Sequence, residues 1–305
     1  MASCLSPDGG WGHSSRTSYP LTTPSQHVLR LFGCDSRTSC RKASLEGIHR
    51  RHDRGVHVIR VICVRHGETE WNRDHRLQGQ SEVALADSGL RQARAAGLYI
   101  RGQQPGAGYV SPLRRTHATF AEFGLGFDPV EDPRLTEQNL GTWEGTKTAA
   151  AKTDYAAEYT AWKSGTGTPP GGEDPRSVVE RMTAAFCDIV RGAADLTPTP
   201  SVDTDYALRT VVLVSHGTAT KALLEGLGLI DRSQVISLTA AAISVIDVPL
   251  HGGPLSSSLP QGGTQISAEP QEEARLIKQL SDAQIRAYAK LRMYNLSPEV
   301  LAAVR

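Results

Sequence analysis

Cysteine is scarce in this 305-residue chain. Its five copies, Cys4, Cys34, Cys40, Cys63 and Cys187, are scattered. No CxxC pair occurs, and Cys34 and Cys40 have no second half of a zinc site nearby, so neither a disulfide framework nor a zinc module is indicated. Thiols kept reduced are the simple consequence. Net charge is almost absent as well, at +1. That excludes the broad basic face by which proteins hold nucleic acid or anionic membranes, so neither partner is expected. An anion would have to be recognised locally, in a pocket. Long apolar runs are missing too: nothing approaches the roughly 20 residues that span a bilayer.

Apolar periodicity is absent from the first 55 residues, which are rich in Ser, Thr, Pro and Gly. Such a stretch buries too little surface to offset its ordering entropy and reads as a disordered extension. Eight basic residues stand against four acidic ones there. That composition raises an organelle transit peptide, mitochondrial or plastid, as an alternative to a plain extension of a cytoplasmic protein. The acids weigh against it.

The compact part opens on Val56-His-Val-Ile-Arg-Val-Ile-Cys-Val64, a β-branched run of strand length, as in a buried parallel strand. Ser88–Ile100 carries Leu90, Ala93, Gly97 and Ile100 at helical spacing. A short strand at Tyr109-Val110 precedes a helix from about Pro112. The Ala-rich stretch Lys147–Trp162 reads as one helix, and Asp174-Pro175 as the cap and first residue of another. Thr210–Ser215 is a second buried strand, followed by a helix from near Thr218. Ala242–Asp247 is a last strand. Alternating strands and helices predict an α/β fold, a three-layer α/β/α sandwich around a mostly parallel sheet, over residues 56–250. Residues 251–270 read as a linker, and Glu272–Met293 as a helical tail.

Chemistry concentrates at two strand ends. Arg65-His66-Gly67-Glu68-Thr69-Glu70-Trp71-Asn72 follows the first strand, and His216-Gly217 follows the second. Sites in open α/β sheets form beyond the carboxyl ends of strands. An isolated Arg-His-Gly is weak evidence, since short motifs match by chance. Two strands each delivering His-Gly are a far stronger signal. Arg65 offers a planar fork matched to a phosphoryl group, and His66 an imidazole able to act as nucleophile or base. A zinc site is the rival, but zinc wants a third close ligand and Arg65 would repel a cation. Phosphate fits better, and no metal is expected.

These motifs, with Arg76-Leu-Gln78-Gly79, Ser111-Pro-Leu-Arg-Arg115-Thr-x-x-Thr119, Leu135-Thr-Glu137, Gly141-x-Trp-Glu-Gly145 and Gly171-Gly-Glu173, occur in one order from about Val58 to Val248. The series resembles the signature of the histidine phosphatase superfamily, in its phosphoglycerate mutase-like branch. The resemblance implies a phosphomonoester hydrolase that needs no cofactor and acts on a small phosphorylated metabolite. His66 would become phosphorylated. Arg65, Arg115 and His216 would clamp the phosphoryl oxygens, with Asn72 and Gly217 adding contacts, and Glu137 would protonate the leaving oxygen. His66 must attack as the neutral base, whereas His216 helps most when protonated, so different environments are expected for the two. Arg76 is either a second phosphate contact or a loop surface charge. Gln78 and Gly79 accompany it as candidate substrate contacts. Trp71 and Trp143 read as packing residues. Asp174 stands where the family often has Ser, and Thr218 where a smaller residue is common, but no catalytic group is lost.

A mutase of the 2,3-bisphosphoglycerate-dependent type uses the same histidine chemistry behind a longer insertion, which excludes water. Here the interval from Gly145 to Gly171 is short, as in the phosphatase branch. A non-catalytic phospho-ligand binder is the other alternative, and the intact His66, Glu137 and His216 weigh against it.

Overall fold

A computed structural model describes residues 56–201, 206–250 and 270–303. The strands are β1 (Val56–Arg65), β2 (Ala107–Val110), β3 (Val130–Glu131), β4 (Thr199–Pro200), β5 (Tyr206–Ser215), β6 (Ile243–Pro249) and β7 (Lys290–Leu296). They form one sheet in the order β3-β2-β5-β1-β6-β7, with β4 also paired to β5. Neighbours β3, β2, β5 and β1 are parallel, while β4, β6 and β7 attach by antiparallel pairing. The central pair is in register along its whole length, from Val56 opposite Tyr206 to Arg65 opposite Ser215.

The helices are α1 (Glu70–Arg73), α2 (Asp87–Gly102), α3 (Arg114–Ala121), α4 (Thr148–Asp154), α5 (Ala156–Ser164), α6 (Pro175–Gly192), α7 (Gly217–Gly226), α8 (Pro270–Lys278), α9 (Asp282–Tyr288) and α10 (Pro298–Ala303). Successive strand residues face opposite sides of a sheet, and the two cores follow that alternation. Ile59, Val61, Cys63, Val211 and Leu213 pack with Val178, Met182 and Phe186 of α6 and with Ala222 and Leu223 of α7. Ile62, Val64, Val212 and Val214 pack with Ala93, Ala96 and Ile100 of α2 and with Phe120 and Phe123. Both faces are therefore covered, giving the expected three layers. Fully burying a side chain such as Phe186 or Ile62 contributes about 1.5–3 kcal/mol.

Three local details depart from the sequence reading. The stretch expected as one helix from Lys147 to Trp162 is two, α4 and α5, broken at Tyr155, whose backbone leaves the helical region at φ −133° and ψ 46°. Trp143, Tyr159 and Trp162 then stack edge-to-face or tilted in a satellite core with Leu77, Leu140 and Ala151. The helix expected from Pro112 starts at Arg114.

The tail is not helical throughout: a strand separates the helix that ends at Tyr288 from the last helix, Pro298–Ala303. Lys290–Leu296 is a strand, pairing antiparallel with β6. A bulge between Val245 and Ile246 shifts the register, so Leu291 joins the core on one face and Met293 the core on the other. Helical periodicity fails there because the positions are chosen by β6, not by the segment's own period. Arg209, 2% exposed, donates to both oxygens of Glu273 (2.8 and 3.1 Å), and His57 pairs with the same carboxylate, which ties α8 to β1 and β5. The extension expected over residues 1–55 and the linker expected over 251–270 lie outside the described residues, apart from Pro270. Among the described residues no helix is long and apolar enough to cross a membrane.

Candidate active site

Register decides where the two histidines meet. β1 and β5 end together, and His66 N–H donates to the Ser215 carbonyl at 2.9 Å, so the residues after the two strands lie side by side. The imidazole centroids are 5.2 Å apart with planes inclined at 59°. Both rings are buried, at 3% and 0% exposure. Gly67 makes the turn out of β1 feasible: a Cβ there would lie 2.5 Å from the Gly89 carbonyl oxygen. Its N–H donates to Thr119 Oγ1 at 3.0 Å.

Hydrogen bonding fixes the tautomers. His66 Nδ1 lies 2.7 Å from the Gly67 carbonyl, which can only accept, so Nδ1 carries the proton and Nε2 keeps its lone pair. Arg115 Nε donates to His216 Nδ1 at 3.2 Å, so His216 carries its proton on Nε2, 2.8 Å from Ser111 Oγ. Burial, then Arg115 and Arg65, hold His66 well below the usual histidine range. Burial, then Arg115 and the neighbouring His66, do the same to His216. The expectation of contrasting environments is thus corrected. Both imidazoles are neutral near pH 7, because both sit in the same buried, cation-lined space. A phosphoryl dianion among them would raise both.

The cations come from separate elements. Arg115, on the first turn of α3, is 1% exposed, while its neighbour Arg114 is exposed. Burial brings Arg115 down to about 10, still charged at neutral pH. Besides His216 it donates to the carbonyls of Gly79 (2.7 Å) and Ser81 (2.9 Å), leaving two of its five N–H groups. Arg65 donates to the Leu238 carbonyl, while its buried Nε has no hydrogen-bond partner. That Nε would be 3.5 Å from a Cβ on Gly217, so the missing side chain leaves room beside an unsatisfied donor.

Glu137 lies at the start of α7. Its Oε1 accepts from the N–H groups of Gln138 and Ala219, each at 2.9 Å, and its Oε2 from Thr218 N–H at 3.0 Å. Arg181 of α6 holds this segment from behind. It donates to the carbonyls of Arg134 (2.7 Å), Thr136 (2.6 Å) and Glu137 (3.3 Å) and grips Glu173 with Nε and Nη2 (2.7 and 2.9 Å). Glu173 is thereby a loop anchor. Glu144 is one too, accepting from Gln80 N–H at 2.9 Å and Ser81 N–H at 2.8 Å.

Other expected contacts brace the loop. Asn72 and Thr69 form a reciprocal cap on α1, with bonds of 3.1 and 3.2 Å, and Thr69 Oγ1 donates to Gln78 Oε1 at 2.8 Å. Gln78 Nε2 is buried without a hydrogen-bond partner. Gly79 is packed so tightly on Glu144 that a Cβ would overlap its carboxylate. Arg76 reaches the Gly145 carbonyl at 2.8 Å and Asp74 at 3.5 Å, and no described contact links it to the histidines. Sequence reasoning assigned no role to Ser111 or Thr119, although both stand inside a quoted motif. Arg181 carried no local signal at all.

Two buried neutral imidazoles, the guanidiniums of Arg65 and Arg115 and a carboxyl group held on a helix N-terminus thus come together, a set of groups suited to phosphoryl transfer. The comparisons agree. Residues 61–257 match the model of the histidine phosphatase superfamily, branch 1, and the chain belongs to that family. It is 33% identical over 167 residues to the glucosyl-3-phosphoglycerate phosphatase of Mycobacterium tuberculosis, covering 54% of this chain and 73% of that protein. It is 29% identical over 231 residues to a 2,3-bisphosphoglycerate-dependent phosphoglycerate mutase of Corynebacterium diphtheriae, covering 68% and 89%. The native structure of a mycobacterial glucosyl-3-phosphoglycerate phosphatase superposes with a TM-score of 0.56 at 30% identity, over 62% of this chain and 90% of that one. Family and relatives together mark a metal-independent phosphatase.

Proposed function

We propose that the chain hydrolyses phosphomonoesters of small metabolites with His66 as the phosphoryl acceptor. The observation that carries this reading is the His66 tautomer. A buried neutral imidazole presents Nε2 while Nδ1 is anchored on Gly67. Nε2 attacks phosphorus in line, the P–O bond to the alcohol breaks, and the alkoxide takes a proton from Glu137. Water then attacks the phosphohistidine, giving its proton back to Glu137 and releasing phosphate. Arg65, Arg115 and His216 offset the charge on the equatorial oxygens, at positions fixed before the reaction. Asn72, Gln78, Gly79 and Gly217 shape the cradle in this reading, and Arg76 serves the loop.

We take the catalytic unit to run over residues 56–250, completed by β7 from the tail. A cytoplasmic setting accords with Cys63 and Cys187, which are buried thiols without disulfide partners. The short Gly145–Gly171 interval supports hydrolysis over mutase transfer.

The test is phosphate release from a panel of phosphorylated metabolites in EDTA, comparing wild type with His66→Ala. Rapid acid quench on labelled substrate would be run in parallel with alkaline quench. Activity that survives EDTA, an acid-labile and alkali-stable phosphoprotein, and loss of both in His66→Ala are expected. Full activity in His66→Ala would overturn the reading. Isomerised phosphoesters without phosphate release would shift it to the mutase.

A further inference from the structure

The loop from Ile236 to Ala242 grips both residues at the head of the site. Leu238, 3% exposed, lends its carbonyl to the Arg65 guanidinium. Ala241 N–H donates to the His66 carbonyl, and the Ala242 carbonyl accepts from Arg65 N–H, each at 3.1 Å. Ala241 has φ 53°, in the left-handed region that residues with a Cβ avoid. Such a conformation persists only where its surroundings impose it. Ser237, Leu238 and Thr239 belong to no helix or strand, so contacts with other segments must fix them.

Those contacts come from the tail strand β7. Asn295 Oδ1 accepts from Thr239 N–H at 2.7 Å and from Thr239 Oγ1 at 3.3 Å, and its Nδ2 donates to the Ser237 carbonyl at 3.3 Å. One amide thus clamps the chain on both sides of Leu238. Tyr294 adds a bond from its hydroxyl to the Ile236 carbonyl at 2.6 Å. The amide is aimed there by the backbone. From Met293 to Leu296, three steps along β7 match two along β6, from Val245 to Ile243, so β7 carries an extra residue. Asn295 takes φ 55°, which Asn tolerates better than most residues, and its N–H leaves the ladder for Ser244 Oγ at 3.1 Å. Re-aiming a side chain is what such bulges do. Residues 290–296 lie outside the stretch 61–257 that matches the family model, so this brace comes from beyond the shared segment.

We propose that Asn295, seconded by Tyr294, is a positioning residue for Arg65: it fixes the Leu238 carbonyl, and that carbonyl sets where the guanidinium meets the phosphoryl group. This rests on the reading of Arg65 as a phosphoryl clamp beside His66. A guanidinium is planar and rigid, so holding one nitrogen on Leu238 directs the others. The unsatisfied Nε then opens on the space beside Gly217. Without the amide, the strained turn at Ala241 is free to relax and Arg65 to swing with it.

Asn295→Gly tests this cleanly, because glycine keeps the positive φ and removes only the amide. In full-length protein, folded by far-UV circular dichroism, kcat/KM for p-nitrophenyl phosphate should fall about tenfold. The Kd for orthovanadate, a phosphoryl mimic, should rise by a similar factor in calorimetry. In an Arg65→Lys background the same substitution should change vanadate affinity less than about twofold, since the residue it acts through is gone. A folded Asn295→Gly with wild-type turnover and vanadate affinity overturns the proposal, because a merely structural brace would move only the urea midpoint. An undiminished effect in the Arg65→Lys background overturns it too. Should Asn295→Gly fail to fold, Tyr294→Phe, which removes one hydroxyl, decides instead: about a threefold loss of vanadate affinity supports the brace, and none overturns it. Wild-type protein that binds vanadate without releasing phosphate sinks the hydrolase reading and leaves the vanadate comparison to judge Asn295. Wild-type protein that does neither sinks both.

Discussion

Replacing Arg181 with Met should reveal whether Glu137 works as the proton donor. Arg181 touches neither histidine in any described hydrogen bond; it holds the backbone on which Glu137 is mounted, through three carbonyls and Glu173. The Arg181 and Glu173 side chains are 19% and 20% exposed, so the loss of this pair is discounted from the 3–5 kcal/mol of a fully buried one to about 2 kcal/mol. The three carbonyls, two of them held at 2.6 and 2.7 Å, add about 2 kcal/mol more. Urea unfolding should therefore lose about 4 kcal/mol in total.

The kinetic signature depends on the leaving group. An alkyl phosphate expels an alkoxide that must be protonated, so a displaced Glu137 should lower its kcat/KM about 100-fold. p-Nitrophenyl phosphate expels a stable phenolate that needs no proton, and its kcat/KM should change far less. Using kcat/KM confines the comparison to steps up to the first phosphoryl transfer. Arg181→Lys should recover part of both losses. Equal losses for the two substrates, or an unstable variant with unchanged kcat/KM on the alkyl phosphate, would refute the positioning argument.

Gly67→Ala would push a methyl group into the Gly89 carbonyl, 2.5 Å away. A backbone shift at His66 should cost about 100-fold in kcat and about 2 kcal/mol in stability, read by p-nitrophenyl phosphate turnover and urea midpoint. His66 and His216 both titrate below the usual 6.5 in the folded state. The unfolded chain then binds more protons, so stability is fully present above pH 6.5 and falls as the pH drops below it. The slope should reach about 1.4 kcal/mol per pH unit per histidine, and His216→Gln should flatten it. Burial would raise Glu273, but His57 and Arg209 bring it down to about 2. Its contribution should vanish as pH falls from about 4.5 toward 2, and Glu273→Gln should cost about 3 kcal/mol at pH 7 and much less at pH 3. An unchanged urea midpoint at pH 7 would exclude the clamp.

The two central strands were legible because their β-branched runs suit only a site buried on both faces, and the strand-end His-Gly pairs followed from them. Tyr155 was not legible: nothing in an Ala-rich stretch signals a break that packing of Trp143 on Tyr159 and Trp162 imposes. Nor was β7. Leu291 and Met293 carry apolar residues that suit either period, and only the bulge opposite Val245 decides. Arg115 and Glu137 could be named from motif order, but their geometry could not. That His216 is neutral, gripped by Arg115 and Ser111, follows from contacts between residues about a hundred positions apart. Arg181 looked like an ordinary charge because three of its partners are backbone carbonyls more than forty positions away, which no local pattern announces.

The unbroken ladder between β1 and β5 also governs when the protein becomes an enzyme. The offset that pairs Val56 with Tyr206 is the one that sets His66 beside His216. A slip by one residue would turn every core side chain of β1 to the wrong face and stagger the imidazoles by about 3.3 Å. Two such distant segments close only after a large loop has been ordered between them, a slow step in any chain. Recovery of turnover during refolding should then trail the return of helical signal, which makes catalysis a timer for the last long-range pairing rather than for collapse.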